Sequence, residues 1–148
     1  MSPVQIELRD SSFDSFQEAL EYRKTLPKTD DHGACSTFVG TMREYNEGDR
    51  VFAMHLEHYP GMTENQLEEI VGGVCQTHEA LNVFLLHRIG KVLPGEDIVL
   101  VSTWSTHRKD AFGACREIME ALKSEAPFWK KETLAEGDRW VKNNTPGK

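Results

Sequence analysis

Two apolar runs constrain the fold of this chain more than any other feature. Asn82–Ile89 is nearly continuous in apolar residues, and Asp97–Trp104 reads the same way. A strand with one wet face alternates, so unbroken runs of this length predict strands covered on both faces. Gly90 to Gly95 supplies the turn between them. Such a sheet needs helices, and three helical patterns are available. Phe13, Phe16, Gln17, Leu20 and Lys24 have helical spacing, with Ser11 or Ser12 as the expected N-cap. Thr63 and Gln66 form a capping-box pattern ahead of Leu67, Ile70, Val71 and Val74. Gly72-Gly73 inside this helix predicts a bend or a close approach, since each glycine costs about 1 kcal/mol against Ala. The third helix is expected from near Thr106 to just before Pro127, whose ring disfavours a helical Ala126.

The remaining strands are shorter. Val4–Leu8 alternates, Ala34–Met42 is rich in small and β-branched residues, and a loop over Glu44–Arg50 follows. Val51–His58 alternates so that Phe52, Met54, Leu56 and His58 share one face. Two extended pieces are expected around Trp129–Leu134 and Arg139–Lys142. This order predicts an α+β fold with helices packed on largely antiparallel sheet. At 148 residues the chain fits one domain.

Charge narrows the function. The chain carries a net −7, yet residues 108–148 hold 9 Lys/Arg against 7 Asp/Glu, and residues 1–107 hold 8 against 17. A basic cluster on an acidic protein points to a local anion site more than to a polyanion surface. The acidic balance argues against a nucleic-acid partner. No apolar stretch approaches the roughly 20 residues of a membrane span. The first residues lack a basic segment followed by an apolar run, so a cytoplasmic location is expected. Cys35, Cys75 and Cys115 form no C-x-x-C pair and are expected to be reduced, buried small hydrophobes.

The chemistry must therefore come from the basic set. No G-x-x-x-x-G-K-[ST] or H-E-x-x-H occurs. His55 and His58 flank Glu57 on an expected strand and read as structural residues rather than metal ligands. Arg43 stands where a strand gives way to a loop, a frequent place for ligand contact. His107 and Arg108 stand at a helix N-terminus, where free N–H groups and a guanidinium favour an anion, although from spacing alone a solvated cap is the commoner outcome. Lys123 and Lys130 bracket Ala126-Pro127-Phe128-Trp129, and lysines beside aromatic groups can be desolvated toward a pKa useful for proton transfer.

Longer words raise the value of these residues. LEHYPGMTE at 56–64, HRIG at 87–90, PGE at 94–96, STHR at 105–108, LKSEAPFWKKE at 122–132 and EGDRW at 136–140 occur in that order. From roughly Asp30 to Val141 the chain resembles the large, catalytic subunit of molybdopterin synthase. The resemblance implies an α/β hammerhead with additional antiparallel β-sheet, one domain over 1–148, and a flexible tail after about 141. It implies a homodimer that binds two copies of a small ubiquitin-like sulfur-carrier subunit, giving a heterotetramer. The implied reaction inserts two sulfurs, carried as a thiocarboxylate on the partner's C-terminal glycine, into cyclic pyranopterin monophosphate to make molybdopterin. Neither metal nor cofactor is implied. Lys123 and Lys130 match the family's catalytic lysines and also its substrate contacts. Thr41, Met42, Arg43, His107, Arg108, Lys131 and Glu132 match further substrate-binding positions. Thr41 departs from the pattern, because family members can carry lysine there. A non-catalytic adaptor for the same partner would need only a docking surface, so the retained lysines favour an enzyme.

Overall fold

Why two runs of this sequence are nearly continuous in apolar residues is visible in a computed structural model, which describes residues 3–28 and 31–141. The elements in chain order are β1 (Val4–Arg9), α1 (Ser15–Thr25), β2 (Ala34–Thr41), β3 (Tyr45–Asn46), β4 (Asp49–Arg50), β5 (Ala53–His58) and α2 (Met62–Thr77). They continue with β6 (Asn82–Arg88), β7 (Gly90–Val92), β8 (Asp97–Ser105), α3 (Arg108–Ser124), β9 (Phe128–Leu134) and β10 (Gly137–Trp140). β6 and β8 are the two central strands of a sheet ordered β1-β6-β8-β2, and every residue of β6 is buried. Val83, Leu85, Val99 and Val101 pack on one side with Leu67, Val71 and Val74 of α2 and Ala114, Ile118 and Leu122 of α3. Phe84, Leu86 and Leu100 pack on the other side with Tyr22 of α1. Helices thus cover both faces, as the unbroken runs predicted.

A second sheet, ordered β10-β9-β5-β7, is antiparallel throughout. Its inner face, with Met54, Leu56 and Val92, makes a separate core with Met42 and Val51. β1 pairs with β6 in parallel, and the other pairings of the first sheet are antiparallel. The result is the expected α+β class.

Several local expectations are corrected. The cap of α1 is Asp14 rather than Ser11 or Ser12: its carboxylate accepts from the N–H groups of Phe16 and Gln17 at 3.0 and 3.3 Å. Tyr22 faces the core while Phe16 and Leu20 stay exposed. α2 is capped by Gly61 at φ 85°, whose N–H donates to Glu64 Oε2 at 2.7 Å, so the box begins two residues before Thr63. Among the described residues nothing lies within 4 Å of a Cβ placed on Gly72 or Gly73, so no close packing there explains that pair. Phe52 precedes β5 and sits exposed beneath the Arg50 guanidinium instead of joining the inner face. Glu44–Arg50 is not a plain loop, because β3 and β4 form a hairpin turned by Glu47 and Gly48, both at positive φ. Cys115 is buried and Cys75 half-buried, but Cys35 is exposed on β2, the outer strand of its sheet. The expected tail after about 141, and Lys142 at the end of the last expected strand, lie outside the described residues.

Candidate active site

The site begins with a fault in β2. Gly40 pairs with Val99, but Thr41 pairs with Asp97, and a bulge of this kind re-aims the side chains that follow. Glycine is needed there, since a Cβ would stand 2.9 Å from Val99 Cγ1. The Met42 N–H donates to the Glu96 carbonyl and the Gly95 N–H to the Met42 carbonyl, both at 2.9 Å. This pairing drops Met42 into the second core and leaves Arg43 exposed at the rim.

The opposite wall comes from the end of α3. Lys123 lies in its last turn, where a cation complements the negative end of the helix dipole. The chain then turns at Ala126-Pro127, and the Phe128 N–H donates back to the Ala126 carbonyl at 2.9 Å. β9 pairs Lys130 with Leu56 and Glu132 with Met54, so both face inward. Two adjoining cavities of about 120 and 100 Å³ share Thr41, Ile98, Lys123 and Lys130. Met42, Arg43, Tyr45, Asn46 and Glu132 line the first, and His87, Met119 and Phe128 the second.

The electrostatics of this cleft are uneven. Burial pushes the Lys130 ammonium down to about 8, with the charge of Lys123 and a hydrogen bond to it acting in the same direction. Glu132 opposes that shift, and Arg43 adds to it. Its neighbour His87 is pushed down to about 4, chiefly by burial, with both lysines contributing. His87 Nδ1 is 2.8 Å from the Arg88 carbonyl oxygen, so it is the protonated, donating nitrogen. The ring stacks on Phe128 with centroids 3.9 Å apart. Phe128, rather than Trp129, is therefore the aromatic wall, as Trp129 lies exposed near Tyr59. Burial also pushes the Cys115 thiol up, which makes it a poor nucleophile at neutral pH.

Thr41, Met42, Arg43, Lys123, Lys130 and Glu132 are thus brought together. Three other expected residues are not. Lys131 pairs with His55 on the outer face of its sheet, 5.4 Å from the Trp140 ring centre. His107 and Arg108 are exposed at the N-terminal end of α3, roughly 22 Å along the helix from Lys123 at 1.5 Å per residue. Glu132 is inside the cleft, but both its oxygens are engaged: Arg139 Nε donates to Oε1 at 2.9 Å and Asn46 Nδ2 to Oε2 at 3.0 Å. Sequence reasoning missed His87, Asn46 and Arg139. His87 could have been noticed as a titratable residue inside an otherwise apolar run.

Comparison with known proteins gives this cleft its context. The sequence pattern of a family described as MoaE protein matches residues 8–125. The molybdopterin synthase catalytic subunit of Ralstonia nicotianae is 46% identical over 136 residues, covering 92% of this chain and 76% of that protein. The solved molybdopterin biosynthesis MoaE protein of Burkholderia ambifaria MC40-6 is 42% identical, covers 97% of this chain and 92% of its own, and superposes with a TM-score of 0.79. A protein–protein complex of subunits 1 and 2 of molybdopterin-converting factor from Helicobacter pylori 26695 contains a chain with the same fold. That chain is 19% identical, covers 97% of this chain and 93% of its own, and has a TM-score of 0.75.

Proposed function

This chain belongs to the MoaE protein family, the molybdopterin synthase catalytic subunits of molybdenum cofactor biosynthesis, and we propose that its cleft is where sulfur enters the pterin. The substrate is cyclic pyranopterin monophosphate, and the sulfur comes from the C-terminal thiocarboxylate of a small ubiquitin-like partner subunit. Arg43 at the rim meets the phosphate. Lys123 and Lys130 act on the reacting carbons, taking and returning protons as carbon–oxygen bonds break and carbon–sulfur bonds form. The observation that carries this reading is a half-buried lysine, pushed down to about 8, beside a second lysine in one cleft. The partner supplies the nucleophilic sulfur, so the absence of a reactive cysteine from the cleft lining is no obstacle. Incubating the chain with the precursor and thiocarboxylated small subunit should yield dithiolene product. No product with authentic precursor and partner would overturn the reading.

His107 and Arg108 join this chemistry only from a second copy of the chain, because they lie at the far end of α3. β2 is an outer strand, and Phe38 on it and Phe112 on α3 are exposed, at 42% and 65%. An apolar strand-and-helix surface of this kind supports a homodimer, the core of a heterotetramer working in the cytoplasm. Light scattering should give twice the chain mass at micromolar concentration. A monomer there would remove His107 and Arg108 from the site.

Arg43→Ala and Arg108→Ala should each weaken precursor binding by about 1.5–3 kcal/mol, the contribution of a charge-assisted hydrogen bond. That is roughly 10- to 150-fold in Kd. Thermal melts should move little, since both side chains belong to exposed residues. Calorimetric titration showing unchanged affinity in both variants would place the anion pocket elsewhere.

A further inference from the structure

EGDRW at 136–140 contains a residue that the reaction as described above does not use. Arg139 stands opposite Glu132 in the β9–β10 pairing. Its Nε donates to Glu132 Oε1 at 2.9 Å, its Nη1 to Asp49 Oδ2 at 2.8 Å, and its Nη2 to the Asn46 carbonyl at 3.0 Å. Glu47 is a more distant ion-pair partner at 3.8 Å. One guanidinium therefore ties β9, β10 and the β3–β4 hairpin together, and the hairpin's Tyr45 and Asn46 form a wall of the cleft. Glu132 is 5% exposed and lies two residues from Lys130 on the same face of β9. A buried carboxylate needs a cation: Arg139 supplies it here, and Lys130 is close enough to feel the same charge.

We propose that Arg139 is a positioning residue for the reaction: it holds the Glu132 carboxylate, so that Lys130 is left free of an ion pair and available for proton transfer. This rests on the reading of Lys130 as a reacting group. The fork geometry of arginine suits the task, because two nitrogens reach the hairpin while the third keeps the carboxylate. The charged and titratable groups around Lys130 are Lys123 from α3, His87 from β6, Arg43 after β2 and Glu132 on its own strand. His58 faces the same side from β5, opposite Phe128. Glu132 is the one anion in that set among the described residues. Releasing it from Arg139 would let it pair with Lys130 and draw the ammonium back toward its ordinary range.

The test is an NMR titration of the full-length protein carrying lysine labelled at the ε-carbon, with the Lys130 signal assigned by its loss in Lys130→Ala. In Arg139→Gln the Lys130 midpoint should rise by about one pH unit. Adding Glu132→Gln to that variant should bring it back to the starting value or below. Arg139→Lys, which keeps a cation beside Glu132, should stay near the starting value. The pH limb of product formation should follow the midpoint in each variant. An unmoved midpoint in Arg139→Gln overturns the proposal, as does a rise that Glu132→Gln fails to reverse. Should Arg139→Gln not fold, Glu132→Gln alone carries the test. Loss of the Glu132 charge must then lower the midpoint, and no change overturns the idea. Lys130→Ala with full turnover would sink the catalytic reading separately, while the titration would still report on the three-residue coupling.

Discussion

Lys130→Ala should slow product formation by about 10²–10⁴-fold, the usual contribution of a general acid–base group, and Lys123→Ala should do the same. The sign of the pH dependence follows from the Lys130 ammonium at about 8. If Lys130 removes a proton, it must be neutral, and the rate climbs as pH rises through about 8 before levelling. If it donates one, the limb inverts and the rate falls over the same range. Arginine should rescue neither position, because a guanidinium keeps its proton at every working pH. Light scattering and capture of the small subunit should be unchanged in both alanine variants, which separates chemistry from assembly. Near wild-type turnover in both would take the two lysines out of the mechanism while leaving the family assignment intact.

Acid should unfold this protein through His87. The buried imidazole holds its neutral form down to about pH 4 in the native state, against 6.5 in the unfolded chain. Above 6.5 neither state is protonated and the stability from this source is complete. Between 6.5 and about 4 the unfolded chain binds the proton first, so stability falls with falling pH. Across that window the loss is on the order of 3 kcal/mol, taking 1.36 kcal/mol per pH unit. Urea midpoints measured from pH 7 to pH 4 should show the decline, and His87→Phe should flatten it. A decline of equal size in the variant would assign the acid sensitivity to other groups.

The fold was legible where burial acts on whole runs. β6 and β8 announce themselves because helices on both faces leave no polar alternation, and α3 ends where Pro127 requires. The ends of α1 and α2 were less legible, since Ser11, Ser12 and Asp14 all have capping side chains and only tertiary packing chooses among them. The exposure of Cys35 follows from β2 being an outer strand, which residue type does not encode. Lys123 and Lys130 line one cleft because a short helix-ending turn fixes their separation. Lys131 illustrates the limit: adjacent residues on a strand face opposite ways, and spacing alone could not say which lysine faces inward. Glu132 reads as a ligand from its position, but its partners are Asn46 and Arg139, one of them 86 residues away. The distance from Arg108 to Lys123 was implicit in helix geometry, and it turns a list of matching positions into a question of assembly.

Thr63 has a consequence for how often this cleft loses its shape. Its buried Oγ1 accepts from the Tyr59 N–H at 2.9 Å and donates to the Pro127 carbonyl at 3.2 Å. The turn between the two lysines is therefore fastened to the first turn of α2. A surface turn ordinarily opens alone and often, exchanging its amide hydrogens quickly. Here Phe128, directly after Pro127, swings free only once that bond to α2 breaks, and α2 is itself held by the fully buried Leu67 and Val71. Amide exchange at Phe128 should then be as slow as in the core helices, and the spacing of the lysines should last as long as the native state does.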